Sequence, residues 1–167
     1  MRCPIPALCL TMLALCACSG TPEQRTPSVT RSISTNLALP EADLRGAPLD
    51  LEAELGAGRP VVLVFWQTWC ASCRREAPEM AAAARTFEGR FRFVGVVPGG
   101  TDYVDPEELL RTAEEWGLPY AQVQDTDLTL THALDVRGTP TIVVLGRGKE
   151  ILYRGHKAPE SWEALLD

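Results

Sequence analysis

The apolar and polar positions of this chain switch between two periods, and each switch marks an element. Val61 to Trp66 is an unbroken apolar run rich in β-branched residues, the pattern of a strand buried on both faces. Ala71 to Phe87 has helical composition, with Pro78 inside it as a kink and Gly89 as its stop. Phe91 to Val97 reads as the next strand and ends at Pro98-Gly99-Gly100. Asp105-Pro106-Glu107-Glu108 is a helix start, with Asp at the cap, Pro in the first position and acids in the first turn; that helix runs to Trp116 and stops at Gly117. Tyr120 to Val123 is a short strand, Asp127 to Leu134 a short helix capped by Asp125 or Asp127, and Thr141 to Leu145 a buried strand. Gly146-Arg147-Gly148 turns the chain into Glu150 to Tyr153, which pairs back as a hairpin, and Ala158 to Leu166 closes with an amphipathic turn or two. Ahead of these lie an extended piece around Leu37 to Leu39 and a turn, Gly46 to Leu51, leading to a second short one. Strands interleaved with helices and closed by a hairpin predict an α/β sheet flanked by helices.

The first part of the chain follows different rules. Arg2 precedes an apolar stretch, Ala7 to Leu15, too short for a permanent membrane span and suited to a secretory signal. It ends in Leu15-Cys16-Ala17-Cys18, which resembles the bacterial lipoprotein box, where a small residue precedes the lipidated cysteine. Cys18 fits that rule; Cys16, preceded by Leu15, does not. The division expected is a signal peptide over residues 1–17, a lipidated Cys18 with a flexible tether over 18–36, and one folded domain over 37–167. An ordinary cleaved signal, or a cytosolic protein with an apolar start, are the alternatives. Ser19 to Asn36 is rich in Thr, Ser and Pro without apolar periodicity, and flexible-chain scaling gives it a reach of roughly 25 Å.

Charge narrows the partners. Loss of Arg2, the only charged side chain before Cys18, takes the formal −6 to −7. That balance argues against nucleic acid or an anionic lipid surface as the main partner, so contact with a bilayer would come from acyl chains. About 150 residues remain after cleavage, enough for one domain with a core.

Cysteine usage concentrates the candidate chemistry. Cleavage before Cys18 removes Cys3, Cys9 and Cys16 and consumes Cys18 in a thioether, leaving Cys70 and Cys73 as the thiols. Residues three apart on a helix share a face, so these two sulfurs can reach bonding distance without moving the backbone. Cys70 stands at the helix start, where unpaired N–H groups and the macrodipole favour thiolate. It is the candidate nucleophile, and Cys73 the candidate resolving thiol.

The run Val62-Leu63-Val64-Phe65-Trp66-Gln67-Thr68-Trp69-Cys70-Ala71-Ser72-Cys73-Arg74-Arg75-Glu76-Ala77-Pro78, together with Val136-Arg137-Gly138-Thr139-Pro140-Thr141, resembles the TlpA/ResA group of thioredoxin-fold proteins. The similarity extends from Leu37 to the C-terminus. It implies a thioredoxin fold, a central mixed sheet flanked by helices, with the group's helix-bearing insertion between Pro98 and Leu134. It implies a membrane-tethered thiol–disulfide oxidoreductase using the Trp-Cys-x-x-Cys motif, reducing disulfides of bacterial envelope proteins. Re-reduction would come from a membrane thiol reductant, with no metal or organic cofactor. It also implies a cis Pro140 against the disulfide, a Thr139 backbone free to bond an extended peptide, Trp69 shielding the site, and Glu76 held near the cysteines. Pro140 as an ordinary trans proline at a strand start is the alternative.

Several residues have competing roles. Glu76 either exchanges protons with Cys73 or serves as a first-turn acid on the helix dipole. Many thioredoxins carry a buried Asp six residues before the first Cys; Val64 stands there, so a proton relay would fall to Glu76 or water. A zinc site is the competing role for the Cys pair, but His132 and His156 do not form a ligand-spaced pair. Trp66, Trp116 and Trp162 read as packing residues, and Asp102, Asp105, Glu107 and Glu108 as a solvated helix start. Two other function classes stay open. A thiol peroxidase would need Pro and Thr or Ser where Leu63 and Gln67 stand; a non-catalytic or metal-carrying module would leave the Cys pair inert to disulfides.

Overall fold

The structure is a computed structural model describing residues 37–166; the expected signal peptide, Cys18 and the tether lie outside them. The elements in chain order are α1 (Leu51–Gly56), β1 (Val61–Phe65), α2 (Ala71–Thr86), β2 (Arg92–Pro98), α3 (Pro106–Glu115), β3 (Ala121–Asp125), α4 (Thr129–Ala133), β4 (Thr141–Leu145), β5 (Ile151–Gly155) and a 3-10 turn at Glu163–Leu165. The strands form one mixed sheet in the order β3-β2-β1-β4-β5. β1 runs parallel to β2, and β2 to β3; β4 lies antiparallel to β1, and β5 to β4. This is the thioredoxin fold, and the segment between Pro98 and Leu134, where the resemblance implies an insertion, holds α3, β3 and α4.

The unbroken apolar runs occupy the centre of the sheet because both faces there are covered. Val61, Leu63 and Phe65 of β1 pack with Leu51 and Leu55 of α1, Leu130 of α4 and Leu134 at its end. Val62 and Val64 face the other way, against Met80 and Ala83 of α2 and an aromatic group of Phe87, Phe91, Phe93 and Trp162. A third cluster, at the end of β1 and β2, joins Trp66, Cys70 and Cys73 to Leu109 and Ala113 of α3.

Most elements stand within a residue or two of their expected bounds; three do not. The second extended piece expected after Leu49 is the helix α1, capped by the Asp50 carboxylate on Ala53 N–H at 3.0 Å. Six residues are too few to display a helical period, so the cap Asp50 and the acids Glu52 and Glu54 in its first turn were the local signals. Leu37 to Leu39 carry no strand; Leu37 is nonetheless buried in the first cluster. The closing segment is a single 3-10 turn, held by Trp162 in the aromatic group.

α4 lies within two residues of its expected bounds, starting after Leu128 in the left-handed region (φ 62°). Both proposed capping acids act there. Asp125 accepts from the N–H groups of Leu130 and Thr131 at 3.1 and 2.8 Å, and Asp127 accepts from Thr129 N–H at 3.0 Å.

Candidate active site

The chain enters the site from β1 through backbone ties. Trp66 N–H donates to the Val96 carbonyl at 3.0 Å, carrying the parallel pairing one residue beyond the strand. Gln67 then fixes the turn: its side-chain amide donates to the Pro98 carbonyl at 2.6 Å, and its own carbonyl accepts from Cys70 N–H at 3.1 Å. Trp69, at the tip, is 74% exposed, whereas Cys70 and Cys73 are 5% and 4% exposed.

Cys70 is the N-cap of α2, in extended conformation, and its Sγ accepts from Cys73 N–H at 3.1 Å. A cap is normally an oxygen; here sulfur takes that place, so one of the unpaired helix N–H groups points at it. The two sulfurs are joined in a disulfide with Cα atoms 5.2 Å apart, and Ser72 Oγ lies 3.3 Å from Cys70 Sγ.

Facing them is the loop before β4. Its Thr139–Pro140 bond is cis, and the Thr139 carbonyl oxygen lies 3.5 Å from Cys70 Sγ. Two bonds hold this loop: Thr141 Oγ1 donates to the Gly138 carbonyl at 2.7 Å, and His156 Nδ1 stands 2.7 Å from the Pro140 carbonyl. In the sequence His156 stood out only for lacking a ligand-spaced histidine partner. It is exposed, but its ring extends the β4–β5 pairing and braces the cis loop.

Behind Cys73, a small cavity is walled by Val64, Trp66, Glu76, Met80, Tyr120 and Pro140 among others, so Glu76 and Pro140 are brought together with the inner sulfur. Glu76 Oε1 accepts from Ala158 N–H at 2.7 Å, which fixes the carboxylate to the segment after β5. Trp66 packs on Trp116 with ring centroids 5.1 Å apart, and its Nε1 donates to Gln122 Oε1 at 2.9 Å. Gln122 reaches Trp66 by crossing Gly95 of the neighbouring strand, where an added Cβ would overlap the Gln122 amide.

Tyr120 and Gln122 were not singled out from the sequence, and no spacing or motif marks them. They reach the site through strand register. Burial pushes the Tyr120 phenol far above its usual range, and burial followed by the charges of Glu76 and Glu160 raises Tyr153. Among the described residues, no group of three or more His, Cys, Asp or Glu side chains is placed to hold a metal ion.

The AhpC/TSA family model matches residues 31–154. The chain belongs to the AhpC/TSA family. Within it, this AhpC/TSA-family chain is 31% identical over 111 residues to the thiol-disulfide oxidoreductase ResA of Halalkalibacterium halodurans, covering 66% of this chain and 60% of that protein. It is 34% identical over 98 residues to the thiol:disulfide interchange protein DsbE of Pseudomonas aeruginosa, covering 58% of this chain and 49% of that protein. The chain thus spans about half to three fifths of the length of these curated relatives. Among solved structures, a secreted Mycobacterium tuberculosis disulfide oxidoreductase homologous to E. coli DsbE superimposes with a TM-score of 0.60 at 25% identity, covering 78% of this chain and 92% of that one. StoA from Bacillus subtilis superimposes with a TM-score of 0.61 at 19% identity, covering 77% and 92%, and shows the AhpC/TSA chain's fold alone. The resemblance to the ResA group read from the two motifs is shown.

Proposed function

We propose that this chain is a thiol–disulfide oxidoreductase that works outside the cytosol, on a lipid tether, and reduces disulfides of envelope proteins. The observation that carries this reading is the Cys70–Cys73 disulfide at the start of α2, set against the cis Thr139–Pro140 loop. The relatives named ResA and DsbE support the same chemistry.

In the reducing direction both cysteines start as thiols. The Cys70 thiolate, favoured by the Cys73 N–H and the helix dipole, attacks one sulfur of a substrate disulfide, forming a mixed disulfide and releasing the other substrate sulfur as a thiolate that takes a proton from water. Cys73 loses its proton toward Glu76 and attacks the Cys70 sulfur, breaking the mixed bond. The second substrate thiol leaves, and the Cys70–Cys73 disulfide remains for a membrane thiol reductant to reopen. Trp69 and the Thr139 and Pro140 backbone are the substrate-binding surface in this reading, with an extended peptide bonding Thr139 as an added strand.

Residues 1–17 act as the signal, Cys18 carries the lipid, and 18–36 tether the domain over 37–167; the Leu15-Cys16-Ala17-Cys18 sequence supports this. Among the described residues no helix is long and apolar enough to cross a membrane. A peroxidase reading is weaker: Leu63 is a core residue of β1, and the Gln67 amide is engaged with Pro98.

Insulin-disulfide reduction, peroxide consumption and metal content, measured on one preparation, test the assignment. Insulin reduction without peroxide turnover or bound metal is expected; peroxide turnover or a saturating metal with no insulin reduction would replace it.

A further inference from the structure

One buried polar group, on a residue that lines the same cavity as Cys73, has no role in the exchange steps: the Tyr120 hydroxyl. Its oxygen is buried and has no hydrogen-bond partner among the described residues. The ring is held in place, stacked on Phe93 with centroids 6.0 Å apart, while the Tyr120 carbonyl accepts from Gln122 Nε2 at 2.9 Å. Burial also keeps the phenol protonated well above its usual range, so it is a hydrogen-bond donor at any physiological pH.

Tyr120 shares the wall of the cavity behind Cys73 with Glu76. The space has room for about one water molecule, and a buried water needs two to four polar partners. Tyr120, Glu76 and Cys73, which share its wall, carry three polar groups that can serve. The rest of the wall is almost wholly apolar, and the one indole N–H in it that belongs to Trp66 is already given to Gln122. β1 offers no carboxylate, because Val64 faces this space.

Resting on the exchange reading, we propose that Tyr120 is a positioning residue for the inner thiol: its O–H donates to a water that bridges the Glu76 carboxylate and the Cys73 sulfur. When Cys73 attacks, its proton passes through that water to Glu76, and the Cys73 electron pair forms the bond to Cys70. When an external thiol reopens the disulfide at Cys70, the electron pair returns to Cys73 and the proton comes back by the same path. Tyr120 transfers no proton itself; it holds the water, which accepts the Cys73 S–H while the thiol is protonated and turns a hydrogen toward the sulfur once the thiolate forms. The other titratable groups around the pair are Tyr153 on β5, whose proton affinity Glu76 raises, and Arg59, Arg85, Glu88 and Arg92 on the outer side of the Tyr120 ring.

The test uses the full chain carrying Cys70→Ser, with and without Tyr120→Phe, which removes one oxygen and keeps the stacked ring. Alkylation of Cys73 by iodoacetamide is followed against pH on the tryptic peptide 46–74, which contains no other cysteine once Cys70 is replaced. Loss of the donor destabilises the thiolate, so the midpoint should rise by about one pH unit, slowing alkylation about tenfold below it. Tyr103→Phe, at an exposed tyrosine, should leave the profile in place. Coincident profiles for Tyr120→Phe and its parent would overturn the proposal, as would an equal shift from Tyr103→Phe. Insulin reduction by the wild-type chain is scored separately: its failure would remove the exchange reading, while the Cys73 profile still decides whether Tyr120 acts on the sulfur.

Discussion

Glu76 is bonded to Ala158: the carboxylate accepts the backbone N–H of the segment after β5 at 2.7 Å, while the same side chain walls the cavity behind Cys73. In the proposed mechanism this one residue does structural and chemical work, and two substitutions separate them. Glu76→Gln keeps an acceptor for Ala158 but cannot take a proton. It should melt close to wild type, lose on the order of 10²-fold in exchange rate, and lose the carboxylate's limb from the pH–rate profile. Glu76→Ala should show the same kinetic loss plus about 1.5–3 kcal/mol of stability, from the lost bond to a charged acceptor. Parallel pH–rate curves for wild type and Glu76→Gln would leave Glu76 as a structural acid only.

Gly95 and Gln122 are coupled across the β2–β3 pair. A methyl group at Gly95 displaces the Gln122 amide and leaves the Trp66 N–H without its acceptor. Gly95→Ala should cost about 1–3 kcal/mol, the range for a buried donor left unsatisfied. In a Gln122→Ala background the clash is gone and the donor is already unpaired, so the same change should cost much less. Thermal unfolding of the four variants measures this; additive losses would show that the two residues do not interact.

Much of this architecture was legible in the chain, and the illegible parts have a common cause. β1, α2, α3 and β4 each carry a local signal: an unbroken apolar run, a helix between a cysteine cap and Gly89, or an Asp-Pro start. Cys70, Cys73 and Pro140 sit in motifs of fixed spacing, so their meeting could be anticipated. α1 was misread because six residues cannot show a period. Tyr120, Gln122 and His156 become neighbours of the site only through register and loop closure, which a one-dimensional pattern does not encode. Gln122 was hidden further by its setting: a polar residue in a short edge strand ordinarily faces water, but this one is drawn inward by the space over Gly95 and by the Trp66 N–H.

Lipidation is expected at Cys18. The mature protein should partition with membranes and carry acyl mass on its first residue, and Cys18→Ala should block processing. Mass spectrometry of the isolated protein checks this; an unmodified N-terminus at another residue would remove the tether.

Redox direction follows from the relative stability of the two forms of the Cys70–Cys73 pair. A reductase predicts a potential near that of thioredoxin, about −270 mV, and an oxidase one nearer about −120 mV. Equilibration with glutathione or dithiothreitol buffers and mass-shift quantification of the two cysteines gives the value.

The division of labour between the two sulfurs is tested most directly by trapping. Cys70 caps α2 beside the exposed Trp69 and the Thr139 carbonyl, whereas Cys73 faces the cavity with Glu76. In cells, Cys73→Ser should accumulate mixed disulfides through Cys70, because attack survives and resolution is lost, and Cys70→Ser should accumulate almost none. Non-reducing electrophoresis followed by peptide mapping of the bonded cysteine reads both variants. Adducts at Cys70 in the first variant alone are the predicted result; equal trapping by the two variants, or none by either, would contradict the exchange mechanism.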